Sequence, residues 1–196
     1  MDRNITDHDY IISIKERWRL NGHRSFLIFF TGLSGAGKST IANALEQRLL
    51  EKHVRTYVLD GDNVRKGINS NLGFTPSDRS ENLRRIAEIS KLFIDAGVVV
   101  LSAFIAPYQK DRAFIKEKVG KDNCIEVFVN TSLEECERRD VMGLYNKARA
   151  GEIKNFTGVS APYEPPSKPD VLLTEGNSIE EAVNIIYDGI KGKLKL

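Results

Sequence analysis

Gly32-Leu33-Ser34-Gly35-Ala36-Gly37-Lys38-Ser39 decides how the rest of the chain is read. The stretch keeps the G-x-x-x-x-G-K-[ST] spacing of a phosphate-binding loop, with Thr40 directly behind it. Residues 25–31 ahead of it, Ser-Phe-Leu-Ile-Phe-Phe-Thr, form an apolar run of strand length rich in aromatic and branched side chains. Behind it, Ile41, Ala42, Ala44, Leu45, Leu49 and Leu50 recur at helical spacing, with no Gly or Pro until past Glu51. A strand feeding a glycine-rich turn that opens a helix aims several backbone N–H groups, and the positive end of the helix dipole, at one point. Gly32, Gly35 and Gly37 let the backbone turn tightly and approach a phosphate with no Cβ in the way. Lys38 can then reach the β- and γ-phosphates, and the Ser39 hydroxyl can sit on Mg²⁺. The expectation is a bound nucleoside triphosphate.

The pattern continues on both sides of this loop. Residues 54–60 read as a second strand ending in Asp60-Gly61-Asp62, and residues 67–77 hold enough turn formers to be a loop. A helix is expected from about Asp78 to Ala96, with Leu83, Ile86, Ala87, Ile89, Phe93 and Ile94 on one stripe and Gly97 as its stop. Residues 98–104 are continuously apolar, as in a buried parallel strand. Pro107 breaks the chain and a charged helix follows to about Lys118. Residues 124–129 give a fourth strand, a short helix begins near Ser132, residues 170–174 give a fifth strand, and a closing helix runs from Ile179 to about Ile190. Between residues 140 and 168 the apolar period lapses for longer than an ordinary connection, so a functional lid is expected there. Residues 1–24 read as an extension packed either on the domain or on a second subunit, and residues 25–196 as one domain. Strands alternating with helices predict an α/β fold, a doubly wound, mostly parallel five-stranded sheet flanked by helices. Ligands of such sheets sit outside the carboxyl ends of the strands. The phosphate loop, Asp60-Gly61-Asp62, the Phe104-to-Pro107 turn and the Thr174 turn all leave from that edge.

The bulk composition excludes several classes. With 196 residues, 41% of them hydrophobic and 29% charged, the chain suits one soluble globular domain. A net charge of +2, no long Lys/Arg run and a lone Trp18 outside any basic stripe argue against nucleic acid. Cys124 and Cys136 lack metal-ligand spacing and read as reduced thiols of a cytoplasmic protein. His8, His23 and His53 are too scattered for a metal site or a triad. No apolar leader core and no membrane-spanning stretch is present in the sequence, so no membrane association is expected.

The remaining polar residues suggest chemistry. A metal–triphosphate needs a carboxylate near the Mg²⁺, and Asp60 closes the second strand where one is wanted, whereas Asp62 can accept a proton from an attacking hydroxyl. Both are also ordinary turn formers beside Gly61. Arg65, Arg79, Arg84 and Arg85 follow closely, and guanidinium forks match phosphate and sulfate in two-point contacts. Arg65 and Arg79, in or beside the loop, are the better candidates, and Arg84 and Arg85 stay open between ligand and solvated surface. Phe74 in its polar loop suits stacking against a base.

The blocks Phe30 to Thr40, Leu59 to Arg65, Gly73-Phe74 through Arg79 to Arg85, Glu135 to Asp140, and Gly143 to Glu164, in this order, resemble the adenylylsulfate kinase family across residues 20–190. The resemblance implies ATP and Mg²⁺ as cofactors and adenosine 5′-phosphosulfate as the acceptor, phosphorylated at its 3′-hydroxyl, in a homodimer. Carried over by position, it implies that Gly32, Leu33, Ser34, Gly35, Ala36, Gly37, Lys38, Ser39 and Thr40 hold the ATP phosphates. Arg138 and the turn after Thr174 would flank its adenine, and Ser39 and Asp60 would hold the metal. Arg65, Arg79 and Asn82 would take the acceptor's phosphosulfate and ribose, Phe74 and Phe156 would sandwich its adenine, and Ile105 would lie against it. Asp62 would be the base, and Lys147 would contact the acceptor or the phosphate in flight. The family's Phe-Ile-Ser-Pro turn carries a serine assigned as a phosphoenzyme residue in some members, whereas this chain has Ala106. No covalent intermediate can form at that position, so direct in-line transfer is expected.

Two alternatives compete. Another kinase acting on a nucleotide or sugar would share the phosphate loop, but the pairing of Phe74 and Phe156 with Arg65 and Arg79 favours a nucleotide with a doubly anionic tail. A GTPase-type switch would need an Asn-Lys-x-Asp motif, whereas Asn146-Lys147-Ala148-Arg149 ends in arginine.

Overall fold

The computed structural model describes residue 6, residues 8–140 and residues 142–196. Residues 1–5 and 7 of the expected N-terminal extension, and Val141 of the expected lid, lie outside the described residues. Strands β1 (Leu27–Thr31), β2 (Thr56–Asp60), β3 (Val99–Ala103), β4 (Cys124–Asn130) and β5 (Val171–Thr174) form one sheet in the order β2-β3-β1-β4-β5. Every pairing is parallel, so the sheet is all parallel rather than mostly so. β1 sits in the middle because it is apolar throughout: all five of its residues are buried. Its alternate side chains feed opposite layers, as the two-residue period of a strand demands. Ile28 and Phe30 pack with Leu45 and Leu49 of α2 (Lys38–Glu51) and Ile186 and Ile190 of α8 (Ile179–Leu194). Leu27 and Phe29 pack with Leu83 and Ile86 of α4 (Pro76–Asp95) and Ile115 of α5 (Gln109–Val119).

Helix ends follow local chemistry. α4 begins at Pro76, two residues ahead of the expected start, because Thr75 caps it and Pro suits a first turn whose N–H has no partner anyway. α8 is opened by a Ser178–Glu181 capping box and runs one turn beyond the expected end. The N-terminal segment contains α1 (Ile14–Asn21). It rests on the end of α4 through Arg17 on Asp95 (2.9 Å) and Asn21 on the Gly97 carbonyl (2.8 Å). Within the segment read as aperiodic, Leu144–Arg149 forms a helix, α7. Two turns are too short to display a period, yet Tyr145 and Ala148, three apart, share its buried side.

Candidate active site

At the carboxyl end of β1 the chain turns through Gly32, where a Cβ would lie 2.5 Å from the Val129 carbonyl of β4. Only glycine allows that approach. Gly37, at φ +103°, closes the turn and starts α2, whose N-terminus points into the loop. Two side chains from elsewhere in the chain brace it: Tyr145 Oη donates to the Ser34 carbonyl (2.9 Å) and Thr131 Oγ1 to the Ala36 carbonyl (3.0 Å). Lys38 is buried and its Nζ donates back to the Leu33 carbonyl at 2.7 Å. Burial pushes its ammonium down to about 8, against the pull of Cys136, Asp60 and Asp62. A triphosphate set on the loop would offer Nζ the anionic partner that the protein withholds.

Ser39 Oγ donates to Asp60 Oδ2 at 2.6 Å, so the two residues expected at the metal already touch. Both offer hard oxygen, the donor type Mg²⁺ prefers, and Mg²⁺ needs only one or two protein ligands beside substrate phosphates. The second Asp60 oxygen accepts the Asp62 N–H (3.0 Å) and caps the short α3 (Gly61–Arg65), which leaves the Asp62 carboxylate exposed at the crevice edge.

Beside the loop lies a cavity of about 270 Å³ lined by Gly37, Thr40, Arg139, Thr174, Asn177 and Ile179, among others. Its far wall, the turn after β5, is fixed by Asn177 Oδ1 accepting the Thr174 N–H (2.8 Å) and by Glu175 accepting the Ser132 N–H (2.9 Å). Of two adjacent arginines, Arg139 lines this wall and Arg138, which the resemblance sets beside the ATP adenine, does not. Both bond Glu135, at 2.7 and 2.6 Å, but the Arg138 side chain is 74% exposed and that of Arg139 only 32%. In α6 (Leu133–Arg139) the buried residue is Cys136. Three residues on, Arg139 shares its side, while Arg138 points away.

Across the sheet edge, Phe74 is 57% exposed and carries two guanidiniums: Arg65 Cζ lies 4.5 Å and Arg79 Cζ 5.6 Å from the ring centre. Neither makes an ion pair among the described residues, and burial lowers the pKa of both. Arg65 donates instead to the Leu72 and Gly73 carbonyls, and Arg79 to those of Phe74 and Asn155. Arg84 and Arg85 behave differently, for both are paired with Glu81 (2.6 and 2.8 Å) and neither stands as an unpaired guanidinium. Asn82 is 4% exposed and its Oδ1 is already taken by Asn69 Nδ2 at 2.9 Å.

Residues 142–168 fold over this ground. Asp140 caps α7 by accepting the Tyr145 and Asn146 N–H groups. Phe156 is buried, not splayed open, with its ring edge-on to Tyr145 at 4.9 Å. Gly158 sits so close that a Cβ would meet Leu133 at 3.1 Å and Leu33 of the phosphate loop at 3.3 Å. Lys147 is exposed and has no carboxylate partner among the described residues. The returning segment is bolted to the turn after β3. Arg112, itself buried, donates to the Ala106 carbonyl (2.7 Å) and the Glu164 carbonyl (2.6 Å), and its Nε lies 3.1 Å from Glu126. Ile105 contributes its carbonyl, which accepts from Thr31 Oγ1 at 2.7 Å. Ala106 is buried at φ +45°, a backbone form that alanine seldom takes. Periodicity singles out neither Arg112 nor Tyr145, since a charged helix and an aperiodic stretch hide which member turns inward.

A phosphate loop on the central strand of a parallel sheet, a hydroxyl–carboxylate pair beside it and a second, cation-bearing crevice under a folded segment place the chain in the P-loop kinase class. The adenylylsulphate kinase family profile matches residues 24–174. An adenylyl-sulfate kinase of Staphylococcus carnosus is 55% identical over 185 residues, 94% of this chain and 93% of the relative. One of Oceanobacillus iheyensis is 54% identical over 191 residues, 97% of this chain and 96% of the relative. The structure of the Mycobacterium tuberculosis APS kinase in complex with AMPPNP and APS aligns with a TM-score of 0.82 at 48% identity, covering 86% of this chain and 98% of that one. The chain belongs to the adenylylsulphate kinase family.

Proposed function

We propose that this chain transfers the γ-phosphoryl group of ATP to the 3′-hydroxyl of adenosine 5′-phosphosulfate, giving ADP and 3′-phosphoadenosine 5′-phosphosulfate. The observation that carries the acceptor side is the pair of guanidiniums on Phe74, neither of them in an ion pair among the described residues. A phosphosulfate supplies the missing anion and an adenine the missing ring. On the donor side, the loop N–H groups and Lys38 take the β- and γ-phosphates, and Ser39 and Asp60 would hold Mg²⁺. The metal would neutralise charge on the phosphate oxygens. The cavity beside Arg139 and Thr174 has room for the purine of ATP.

Phosphoryl transfer has a loose transition state with charge spread over oxygens, so placement and cations outweigh strong base catalysis. Asp62 accepts the proton of the 3′-hydroxyl as its oxygen bonds to phosphorus and the β–γ bridging oxygen departs with ADP. Lys147 reaches in from the lid toward the transferring group. With Ala106 offering no hydroxyl, transfer is direct. Asn82 adds to the acceptor site, Phe156 forms its second aromatic wall and Ile105 lines it. The segment 140–168 acts as the lid that keeps water from the phosphoryl group.

We place the protein in the cytoplasm as a homodimer. Two buried free thiols suit a reducing compartment, no helix among the described residues is long and apolar enough to cross a membrane, and the exposed Tyr10, Ile11 and Leu20 suit burial against a second copy. A coupled ADP-release assay tests the reaction: turnover is expected with adenosine 5′-phosphosulfate and not with AMP or gluconate. Turnover with gluconate instead would assign the chain to a sugar acceptor.

A further inference from the structure

The loop that carries Phe74 is pinned to α4 by one buried amide, Asn69, fully shielded from solvent. Its backbone is bonded at both ends, its N–H to the Val64 carbonyl (2.9 Å) and its carbonyl to the Leu72 N–H (3.1 Å). Its side chain forms a short relay. Arg85 Nη1 donates to Asn69 Oδ1 (3.5 Å), and Asn69 Nδ2 donates to Asn82 Oδ1 (2.9 Å). Arg85 also grips the Ile68 carbonyl (3.0 Å) and Asn71 Oδ1 (2.7 Å), so the guanidinium is held at the loop by more than this one bond.

The polarity of that relay follows from chemistry. A guanidinium can only donate, so the Asn69 atom facing Arg85 is the oxygen and the atom facing Asn82 is the NH₂. Asn82 must then turn its own oxygen inward, which leaves its NH₂ as the outward group. That Nδ2 has no partner among the described residues, although Asn82 is 4% exposed. It lies one turn along α4 from Arg79, whose guanidinium sits over Phe74.

We propose that Asn69 is a positioning residue for acceptor binding: through Arg85 it fixes the amide of Asn82 so that a hydrogen-bond donor, not an acceptor, faces the anionic oxygens of the phosphosulfate nucleotide. The inference rests on the acceptor reading above. It assigns Asn69 no contact with the ligand. Reversing the relay reverses the sign of the outer group. An aspartate at position 69 can only accept, so Asn82 turns its NH₂ inward and its carbonyl outward, against an anion.

Two substitutions separate this from packing. Asn69→Asp keeps the shape and gives Arg85 a better partner, whereas Asn69→Ala leaves a hole and frees Asn82 to take either orientation. If Asn69 sets polarity, N69D raises the acceptor KM at least tenfold and N69A only a few-fold. ATP KM and kcat at saturating acceptor stay within about twofold in both, and N69D melts no lower than N69A. If Asn69 merely fills space, the order is opposite: N69A is the worse variant in both KM and melting temperature, and the proposal falls. It falls equally if N69D shows the wild-type acceptor KM. A wild type that turns over no adenosine 5′-phosphosulfate overturns the acceptor reading itself, and this inference with it.

Discussion

The two halves of the crevice are built on different principles. The half proposed for ATP is built on backbone: a contiguous run of loop residues presents its N–H groups, and Lys38, the charge of that run, sits inside it. The half proposed for the acceptor draws on side chains of separate elements: Arg65 at the end of α3, Phe74 in a loop, Arg79 and Asn82 on α4, and Phe156 in the segment after α7. Backbone geometry is shared by many phosphate binders, whereas side-chain constellations carry the discrimination. Damage to the first half should therefore stop chemistry, and damage to the second should shift the choice and affinity of acceptor.

The harshest test is Lys38→Ala. It should lower kcat by about 10²–10³-fold, the usual cost of losing one preorganised charge at the transition state, with circular dichroism unchanged and the melting temperature no lower. A variant that keeps a tenth of its activity would mean that the loop backbone alone carries the phosphates.

Asp62 lies on the boundary between the halves. Asp62→Asn should cost about 10²-fold in kcat, the lower range for a general base, with the ATP KM held within about twofold. Equal losses in turnover and ATP affinity would move Asp62 into the metal or structural set.

Phe74 and Phe156 sharpen the contrast within the acceptor half, because one is exposed and the other buried in the core. Phe74→Ala should weaken the acceptor by about 1–3 kcal/mol, the worth of one base–aromatic stack, at little cost in melting temperature. Phe156→Ala should lose both, since emptying a buried phenylalanine site costs about 3–5 kcal/mol of stability. Acceptor affinity unchanged in both variants rules out the aromatic sandwich.

The mildest effect is pH. The Lys38 ammonium, pushed by burial from the usual 10.5 to about 8, loses its proton as pH rises through 8 in the free protein. A triphosphate binds the charged form, so ATP should bind about tenfold more weakly at pH 9 than at pH 7, by the ordinary titration of a single site. The same shift acts on folding in the opposite direction. The unfolded chain holds this proton up to 10.5, so the burial penalty is fully present below 8 and relieved between 8 and 10.5. ATP affinity flat to pH 9.5 would show that Lys38 keeps its ordinary value.

What the sequence determined by itself is local. An apolar strand, a glycine-rich loop and an amphipathic helix in succession specify a phosphate site, because the chemistry lies within eight consecutive residues and glycine is required sterically at Gly32. All five strands were legible for the same reason: each is a short apolar run bounded by turn formers. Only tertiary structure decided which of two adjacent arginines, Arg138 or Arg139, lines the cavity beside the phosphate loop, since that depends on the side of α6 that is buried. It also decided that Arg84 and Arg85 pair with Glu81 while Arg65 and Arg79 make no ion pair among the described residues, and that Arg112 and Tyr145 brace the site from long range. A charge reads the same in sequence whether it faces a carboxylate, a carbonyl or open solvent. Its meaning is set by the neighbour that folding supplies.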